Sequence, residues 1–181
     1  MAKTLVVALL ALLVSHSASA SLLFKGVINP RFYSEEIAFF ATDDFNSHEP
    51  YSLIVHLHGF RRQLEKFDDV LAEFQFDGML KASGSRQTVL LVPSSRGKCD
   101  DFNATFTGKA EFELFLTMIA QKMKIFSTVN FPRSFAISGH SGAYKSIAEI
   151  LTHSSDRITK VALFDATYGS TEKFSQFILR H

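Results

Sequence analysis

Short apolar runs alternate along this chain with longer stretches in which apolar residues recur every three or four positions. The apolar runs lie at residues 52–58, 88–92, 135–138 and 159–164. The helical spacing is found at residues 64–74, 109–126 and 143–151. A run that is apolar on both faces is typical of a strand inside a covered parallel sheet. The alternation therefore predicts an α/β fold, with a parallel sheet and helices on both faces.

The segments around this pattern extend the prediction toward both ends of the chain. Residues 22–28 and 36–41 are interpreted as a leading antiparallel pair of strands. The first helix is expected to end near Ser83-Gly84, residues 94–108 are expected to be a polar loop, and a last helix is expected from Ser170. Nothing in the chain suggests a linker or an internal repeat, so a single domain is expected.

Residues 134–145, with the sequence Ser-Phe-Ala-Ile-Ser-Gly-His-Ser-Gly-Ala-Tyr-Lys, join the third of these strands to the helix after it. A serine on so tight a turn needs small neighbours two positions before and after it, and Gly139 and Ala143 meet that need around Ser141. The turn exposes the Ser141 hydroxyl, and the Gly142 amide points to the place where an oxyanion would form. An ordinary glycine-rich turn is the alternative interpretation of these residues.

This stretch resembles the nucleophile elbow of the α/β-hydrolase superfamily, with alanine in place of the last glycine of the motif. The resemblance extends over roughly residues 51–170 and is closest to a lipase- or esterase-like branch. In that branch the acid follows the strand after the elbow, which is the place of Asp165 in Leu-Phe-Asp-Ala. The resemblance implies a fold like that of the α/β-hydrolases.

The resemblance also implies roles for individual residues. Ser141 would be the nucleophile and Asp165 the acid of a serine hydrolase. The oxyanion hole would be formed by the amide of Gly142 and by the backbone after His58-Gly59, with Phe60 supplying the second amide. Such an enzyme cleaves an ester, or less favourably an amide, with no cofactor or metal, so a small-molecule or lipid-like ester is the expected substrate.

The catalytic base is the part of the pattern that this chain scarcely provides. His181, the last residue, is the sole histidine after Asp165, and a terminal residue tends to fray. We therefore expect a truncated hydrolase without its C-terminal strands, or a degenerate one that has kept the fold as a binding protein. The fourth strand, residues 159–164, would then be an apolar sheet edge that favours self-association.

A zinc hydrolase is a weaker alternative. His56 and His58 would lie on the same side of one strand, where Asp165 could join them as a metal ligand. This alternative lacks a further ligand motif and leaves Gly139-x-Ser141 unexplained. Structural roles remain open for His56, His58 and His140, and Asp165 could instead cap the turn that begins at Ala166.

The first 20 residues resemble a secretory signal peptide. Lys3 precedes an apolar run at residues 5–14, and the small residues Ala18-Ser19-Ala20 follow it. We expect cleavage after Ala20, a mature domain of residues 21–181, and a secreted or periplasmic protein without a stable membrane anchor. A buried or membrane-anchoring helix is the alternative, although the apolar run is shorter than the roughly 20 residues that a bilayer requires.

The charge and cysteine content narrow the expected partners. Removing residues 1–20 takes away Lys3 and no acidic residue, which leaves 18 basic and 18 acidic residues and a formal charge of zero. This balance gives no electrostatic reason to expect nucleic acid as a partner. Cys99 is the single cysteine, so no disulfide within the chain is expected.

Overall fold

The computed structural model describes residues 20–29, 31, 33–59, 66–82, 86–95, 102, 106 and 108–180. Their strands are β1 (Ala20–Asn29), β2 (Tyr33–Thr42), β3 (Ser52–Leu57), β4 (Thr88–Pro93), β5 (Phe135–His140) and β6 (Ile158–Phe164). Their helices are α1 (Phe67–Phe74), α2 (Phe76–Ala82), α3 (Lys109–Met123), α4 (Tyr144–Ser154) and α5 (Thr171–Arg180). Each strand that the apolar runs predicted is present.

The six strands form one mixed sheet in the order β1-β2-β4-β3-β5-β6. The strands β4, β3, β5 and β6 are parallel, as the alternation of elements predicted. The leading pair β1 and β2 is antiparallel, as expected, and β2 also pairs antiparallel with β4. Because the parallel strands share one direction, their carboxyl ends meet at a single edge of the sheet.

Helices cover both faces of this sheet, which confirms the predicted layering. On one face α3, α4 and α5 pack on a large cluster that includes Phe39, Val55 and Phe115. On the other face α1 and α2 pack on a smaller cluster that includes Phe40 and Phe76. Among the described residues, none of the helices is both long enough and apolar enough to cross a membrane.

The helix predicted from residue 64 to about Ser83 is divided in two. Gln75 has a left-handed backbone, with a φ of 47°, between α1 and α2. This break turns Phe74 and Phe76 so that their rings stack with centroids 5.5 Å apart. The apolar periodicity continues through the break, so the sequence pattern gave no sign of it.

Replacing Gln75 by glycine is expected to stabilise the fold. A left-handed conformation costs a residue with a Cβ atom roughly 1–2 kcal/mol, and glycine avoids this cost while adding some entropy to the unfolded chain. We expect Gln75→Gly to add about 0.5–1 kcal/mol to the unfolding free energy and to raise Tm by roughly 2–4 °C. Thermal unfolding measures the shift. Gln75→Ala is the control and should give no stabilisation, because alanine keeps the unfavourable φ.

Part of the predicted polar loop at residues 94–108 belongs to the core instead. Phe102 and Phe106 are buried, and their rings stack with centroids 6.1 Å apart. Phe106 also lies 4.9 Å from the ring of Phe115 in α3. The two phenylalanines are four residues apart, the spacing of one helix face, but the polar residues between them hide this signal.

The last strand differs from the buried strand that its composition predicted. Within the described part of the chain, β6 is the outer strand of the sheet, and its residues Lys160, Ala162 and Phe164 are exposed on one face. The Phe164 side chain is 47% exposed. A strand is buried only when a neighbouring strand and a covering layer are present, which its own sequence does not reveal. The self-association predicted for this edge stays a prediction.

Candidate active site

The tightest turn at the carboxyl edge of the sheet carries Ser141. This residue follows β5 directly and begins the short 3₁₀ turn Ser141–Ala143 that leads into α4. Its φ is +49°, in the left-handed region that residues with a Cβ atom seldom adopt. Residues with such backbone strain cluster at functional sites, where the surrounding structure enforces the conformation. The turn leaves Ser141 partly exposed at the end of the strand.

Close packing around this turn explains why its flanking residues are small. A Cβ atom placed on Gly139 would lie 2.5 Å from Ile147 Cδ1 and 3.1 Å from the Cβ of Ala143. It would also lie 3.3 Å from the carbonyl oxygen of Leu57 in the neighbouring strand. Gly139 and Ala143 therefore face each other across the bend, as their spacing around the serine predicted. Larger side chains would push α4 away from the sheet.

The end of β3 lies against the serine. A Cβ atom on Gly59 would be 2.9 Å from Ser141 Cβ and 2.8 Å from His140 Nδ1, so the Gly59 backbone touches the turn. Gly142 is the second residue of the 3₁₀ turn, and N–H groups in a first turn have no acceptor inside their helix. Gly59 and Gly142 thus lie on two sides of Ser141. Phe60, the predicted second oxyanion donor, lies outside the described residues.

His58 holds the loop after β3 in place. Its Nε2 accepts a hydrogen bond from the backbone N–H of Ser95 at 3.0 Å, so this nitrogen carries no proton. Its Nδ1–H then donates to the carbonyl oxygen of Gly59 at 2.8 Å. The imidazole therefore ties the end of β4 to the loop that contacts the serine. This position gives His58 a structural role compatible with the predicted oxyanion hole.

His56 is buried on the other face of the sheet. Its Nδ1 is 2.9 Å from Ser138 Oγ in β5, and its Nε2 is buried with no hydrogen-bond partner among the described residues. The ring centroid lies 5.0 Å from that of Phe76, in an edge-to-face contact. Burial lowers the pKa of His56 from 6.5 to about 3, with further contributions from the charges of His58 and His140. A group in this environment stays neutral at physiological pH.

The zinc alternative placed His56 and His58 on the same side of one strand, and the structure contradicts that placement. β3 ends at Leu57, so the alternation of side chains stops before His58. His56 contacts Phe76 on one face, whereas the His58 ring lies 5.1 Å from Phe102, which belongs to the core cluster of the opposite face. No group of three His, Cys, Asp or Glu residues arranged to hold a metal exists in the described segments.

Asp165 lies beside the serine turn. Phe164 pairs with His140 in the parallel register of β5 and β6, so Asp165 and Ser141 are the next residues on neighbouring chain segments. Asp165 is exposed, and its φ of +45° is also left-handed. Hydrogen bonding to the Asp165 carboxylate is the largest of the contributions that raise the pKa of Tyr168, so the two side chains are close neighbours. The predicted nucleophile and acid are thus brought to the same edge.

Sequence reasoning assigned no role to Tyr144 and Tyr168, which frame this edge. Their rings meet edge to face with centroids 6.1 Å apart. A Cβ atom on Gly169 would lie 3.2 Å from Tyr144 Cε2, so the loop after Asp165 packs directly on this ring. The signal that could have identified Tyr168 is its position three residues after the acid, in Phe-Asp-Ala-Thr-Tyr-Gly.

A histidine base is the component that the described residues do not bring to this edge. In the described ranges, no hydrogen bond joins a histidine to Ser141 or Asp165. The His140 ring instead meets the ring of Phe74 edge to face, at 5.2 Å between centroids. His153 lies in the last turn of α4, which begins at the serine turn, and so points away. His181, the predicted candidate, lies outside the described residues.

Comparison with solved structures shows that several hydrolases share this fold. S-formylglutathione hydrolase from Staphylococcus aureus matches with a TM-score of 0.56 and 16% identity, over 90% of this chain and 65% of that chain. The feruloyl esterase module from Clostridium thermocellum matches with a TM-score of 0.57 and 11% identity, over 90% and 62%. Acetyl xylan esterase from Aspergillus awamori matches with a TM-score of 0.52 and 12% identity, over 83% and 55%.

This chain therefore spans less than two-thirds of each of these structures. Because the sequence identities are low, the matches establish the fold and nothing more. No protein-family model matches the chain, and no curated protein matches it. The structural matches confirm the fold that the serine turn and the order of elements indicated.

Proposed function

This chain has the fold of the α/β-hydrolases, and from that premise we propose that it is a serine hydrolase that cleaves an ester through attack by Ser141. The observation that carries the proposal is the left-handed φ of +49° at Ser141, at the apex of the turn between β5 and α4. A turn of this kind presents the hydroxyl where a carbonyl carbon can approach it. The esterases among the structural matches support an ester as substrate.

In the proposed reaction the Ser141 oxygen attacks the carbonyl carbon, and the hydroxyl proton passes to a base. The carbonyl oxygen becomes an oxyanion that accepts hydrogen bonds from the amides of Gly142 and Phe60. Collapse of this intermediate expels the alcohol and leaves an acyl group on Ser141, which water then removes. Gly59 supports the oxyanion site because its lack of a side chain lets the backbone touch the serine turn.

Asp165 is the proposed acid, because the register of β5 and β6 places it next to the serine turn. Its role would be to orient a histidine and to stabilise the charge that the histidine gains. His181 is the histidine that the sequence places after Asp165. The proposed chemistry involves only side chains and amides of the protein.

A fluorophosphonate probe tests the proposed nucleophile. Such a probe forms a covalent bond with an activated serine, so we expect it to label the purified protein at Ser141, as peptide mapping by mass spectrometry would show. Labelling should be unaffected by a chelator. Labelling at another serine, or activity that a chelator abolishes without any labelling, would contradict the proposed mechanism.

A binding protein that has kept the hydrolase fold without turnover is the second candidate function. It is favoured by one observation, the absence of a histidine hydrogen-bonded to Ser141 or Asp165 in the described ranges. This candidate predicts neither labelling by the probe nor hydrolysis of activated esters. The same experiment therefore separates the two functions.

We also propose that the protein is exported and that signal peptidase removes residues 1–20. The small residues Ala18 and Ala20 suit the pockets of that protease, and the apolar run before them is short. N-terminal sequencing of protein from the extracellular or periplasmic fraction should therefore begin at Ser21. Exported protein that begins at Met1 would contradict this prediction.

A further inference from the structure

An exposed tyrosine stands beside the proposed nucleophile. Tyr168 is 63% exposed, although aromatic side chains usually bury much of their surface. An aromatic ring that packs little against its own protein has surface available for a ligand. Tyr168 contributes little to the core, so its place in the fold does not by itself explain an aromatic residue here.

Two side chains lie against Tyr168, and a third contact fixes the loop that carries it. Hydrogen bonding to the Asp165 carboxylate is the largest of the effects that raise the pKa of Tyr168, which places its hydroxyl near that carboxylate. Its ring meets the ring of Tyr144 edge to face, with centroids 6.1 Å apart and planes at 61°. The next residue, Gly169, packs against Tyr144 so closely that a Cβ atom there would lie 3.2 Å from the ring. A ring fixed in this way loses little conformational freedom when a ligand binds to it.

The loop that carries Tyr168 is also fixed at its far end. Ser170, with a left-handed φ of +57°, ends the loop, and its carbonyl oxygen accepts the first hydrogen bonds of α5. Lys173 in α5 forms an ion pair with Glu149 in α4 at 2.5 Å. This pair ties the helix after the loop to the helix that begins at the serine turn.

These contacts place the ring close to Ser141. Tyr144 is the first residue of α4, directly after the 3₁₀ turn that begins at Ser141. Asp165 is next to Ser141 across two parallel strands, which lie roughly 4.8 Å apart. Tyr168 contacts both Tyr144 and Asp165. Its ring therefore borders the space that a carbonyl group must enter to reach the nucleophile.

We propose that Tyr168 forms an aromatic wall of the substrate site, which selects esters that carry an aromatic ring close to the reacting carbonyl. Aromatic pairs stack or meet edge to face with a preference that exceeds the effect of buried area alone. A saturated ring of the same carbon number lacks this preference. The inference rests on the proposed hydrolase function and adds a substrate class to it.

Two matched pairs of esters test the proposal with the full chain. Methyl 3-phenylpropanoate is compared with methyl 3-cyclohexylpropanoate, and benzyl acetate with cyclohexylmethyl acetate, so that the ring is on the acyl side or on the alcohol side. We expect kcat/KM for the aromatic member of at least one pair to exceed that of the saturated member about three- to tenfold. Equal values within both pairs would overturn the proposal.

Three variants assign the preference to this ring. Tyr168→Leu should reduce the ratio of aromatic to saturated ester to about one, whereas Tyr168→Phe, which keeps the ring, should preserve it. Phe164→Leu is the matched control. Phe164 is also an exposed aromatic residue, but its side chain lines a cavity on the face of β6, so this variant should leave the ratio unchanged. A preference that survives Tyr168→Leu in folded protein would also overturn the proposal.

The outcomes separate this inference from the function on which it rests. Labelling of Ser141 and hydrolysis without any aromatic preference would refute the aromatic wall and leave the hydrolase intact. If the probe does not label the protein and none of the four esters is hydrolysed, both the aromatic wall and the hydrolase function are refuted. If Tyr168→Leu fails to fold, inhibition of the wild type decides the question. In that experiment 3-phenylpropanoate should inhibit ester hydrolysis at a concentration about three- to tenfold lower than 3-cyclohexylpropanoate does. Equal inhibition by the two acids would contradict the aromatic wall.

Discussion

Ser141→Ala is expected to abolish ester hydrolysis and fluorophosphonate labelling while leaving the fold intact. A nucleophile has no substitute in covalent catalysis, and removing one typically lowers the rate by several powers of ten. Ser141 is partly exposed, and it makes no hydrogen bond to another described residue that would be lost. The change in unfolding free energy should therefore stay within about 0.5 kcal/mol. Ester hydrolysis and thermal unfolding, measured on the same preparation, check both parts.

Ser155→Ala is the control for this experiment. Ser155 follows the opposite end of α4 and is likewise partly exposed, so its removal should affect neither labelling nor hydrolysis. Hydrolysis that persists in Ser141→Ala at more than about one-hundredth of the wild-type rate would eliminate Ser141 as the nucleophile. Loss of activity together with a large fall in Tm would instead assign Ser141 a structural role.

The positions of the strands along the chain follow closely from the pattern of apolar residues. The runs at 52–58, 88–92, 135–138 and 159–164 became β3, β4, β5 and β6 because each is apolar over the length of a strand. The pattern gave no warning of the break at Gln75, since a left-handed residue can interrupt a helix without changing the apolar spacing. The apolar run of β6 by itself indicates a buried strand, because the neighbours of a strand are not written in its own residues. The sheet edge expected at residues 159–164 came from the resemblance to the α/β-hydrolases, and within the described residues β6 is the outer strand.

The serine turn could be predicted because its constraints are local. Gly139, Ser141 and Ala143 are within five residues of one another, and their sizes alone specify a tight bend. The partners of Tyr168 could not be predicted in this way. Its contact with Tyr144 depends on how the loop after β6 meets the first turn of α4, across more than 20 residues of sequence. Local motifs thus indicated the proposed nucleophile but gave no sign of the aromatic wall proposed here.

His56 and His58 show that a local pattern can also predict a site that the fold does not form. Two histidines at alternate positions suggested a metal site, which assumed that the strand continued through both of them. β3 instead ends at Leu57, and the two rings pack into different clusters. His56 is instead a buried neutral imidazole between Ser138 and Phe76, so we expect it to affect the stability of the fold.

Acid should destabilise this protein through His56. Burial lowers the pKa of His56 to about 3 in the folded protein, while the unfolded chain keeps a value near 6.5. Between these two values the unfolded state binds a proton that the folded state does not. The unfolding free energy therefore falls as the pH falls, with a slope that approaches about 1.4 kcal/mol per pH unit. We expect His56 alone to remove roughly 3 kcal/mol between pH 7 and pH 4.

Urea unfolding of the double variant His56→Leu/Ser138→Ala at pH 7, 5.5 and 4 tests this expectation. Replacing both partners avoids leaving the Ser138 hydroxyl buried without its hydrogen bond. The double variant should lose about 3 kcal/mol less than the wild type over this range, because it has no buried imidazole to protonate. Ser138→Ala alone keeps the ring and should retain the steep acid dependence. An equal loss in the wild type and the double variant would show that His56 is not held neutral by burial.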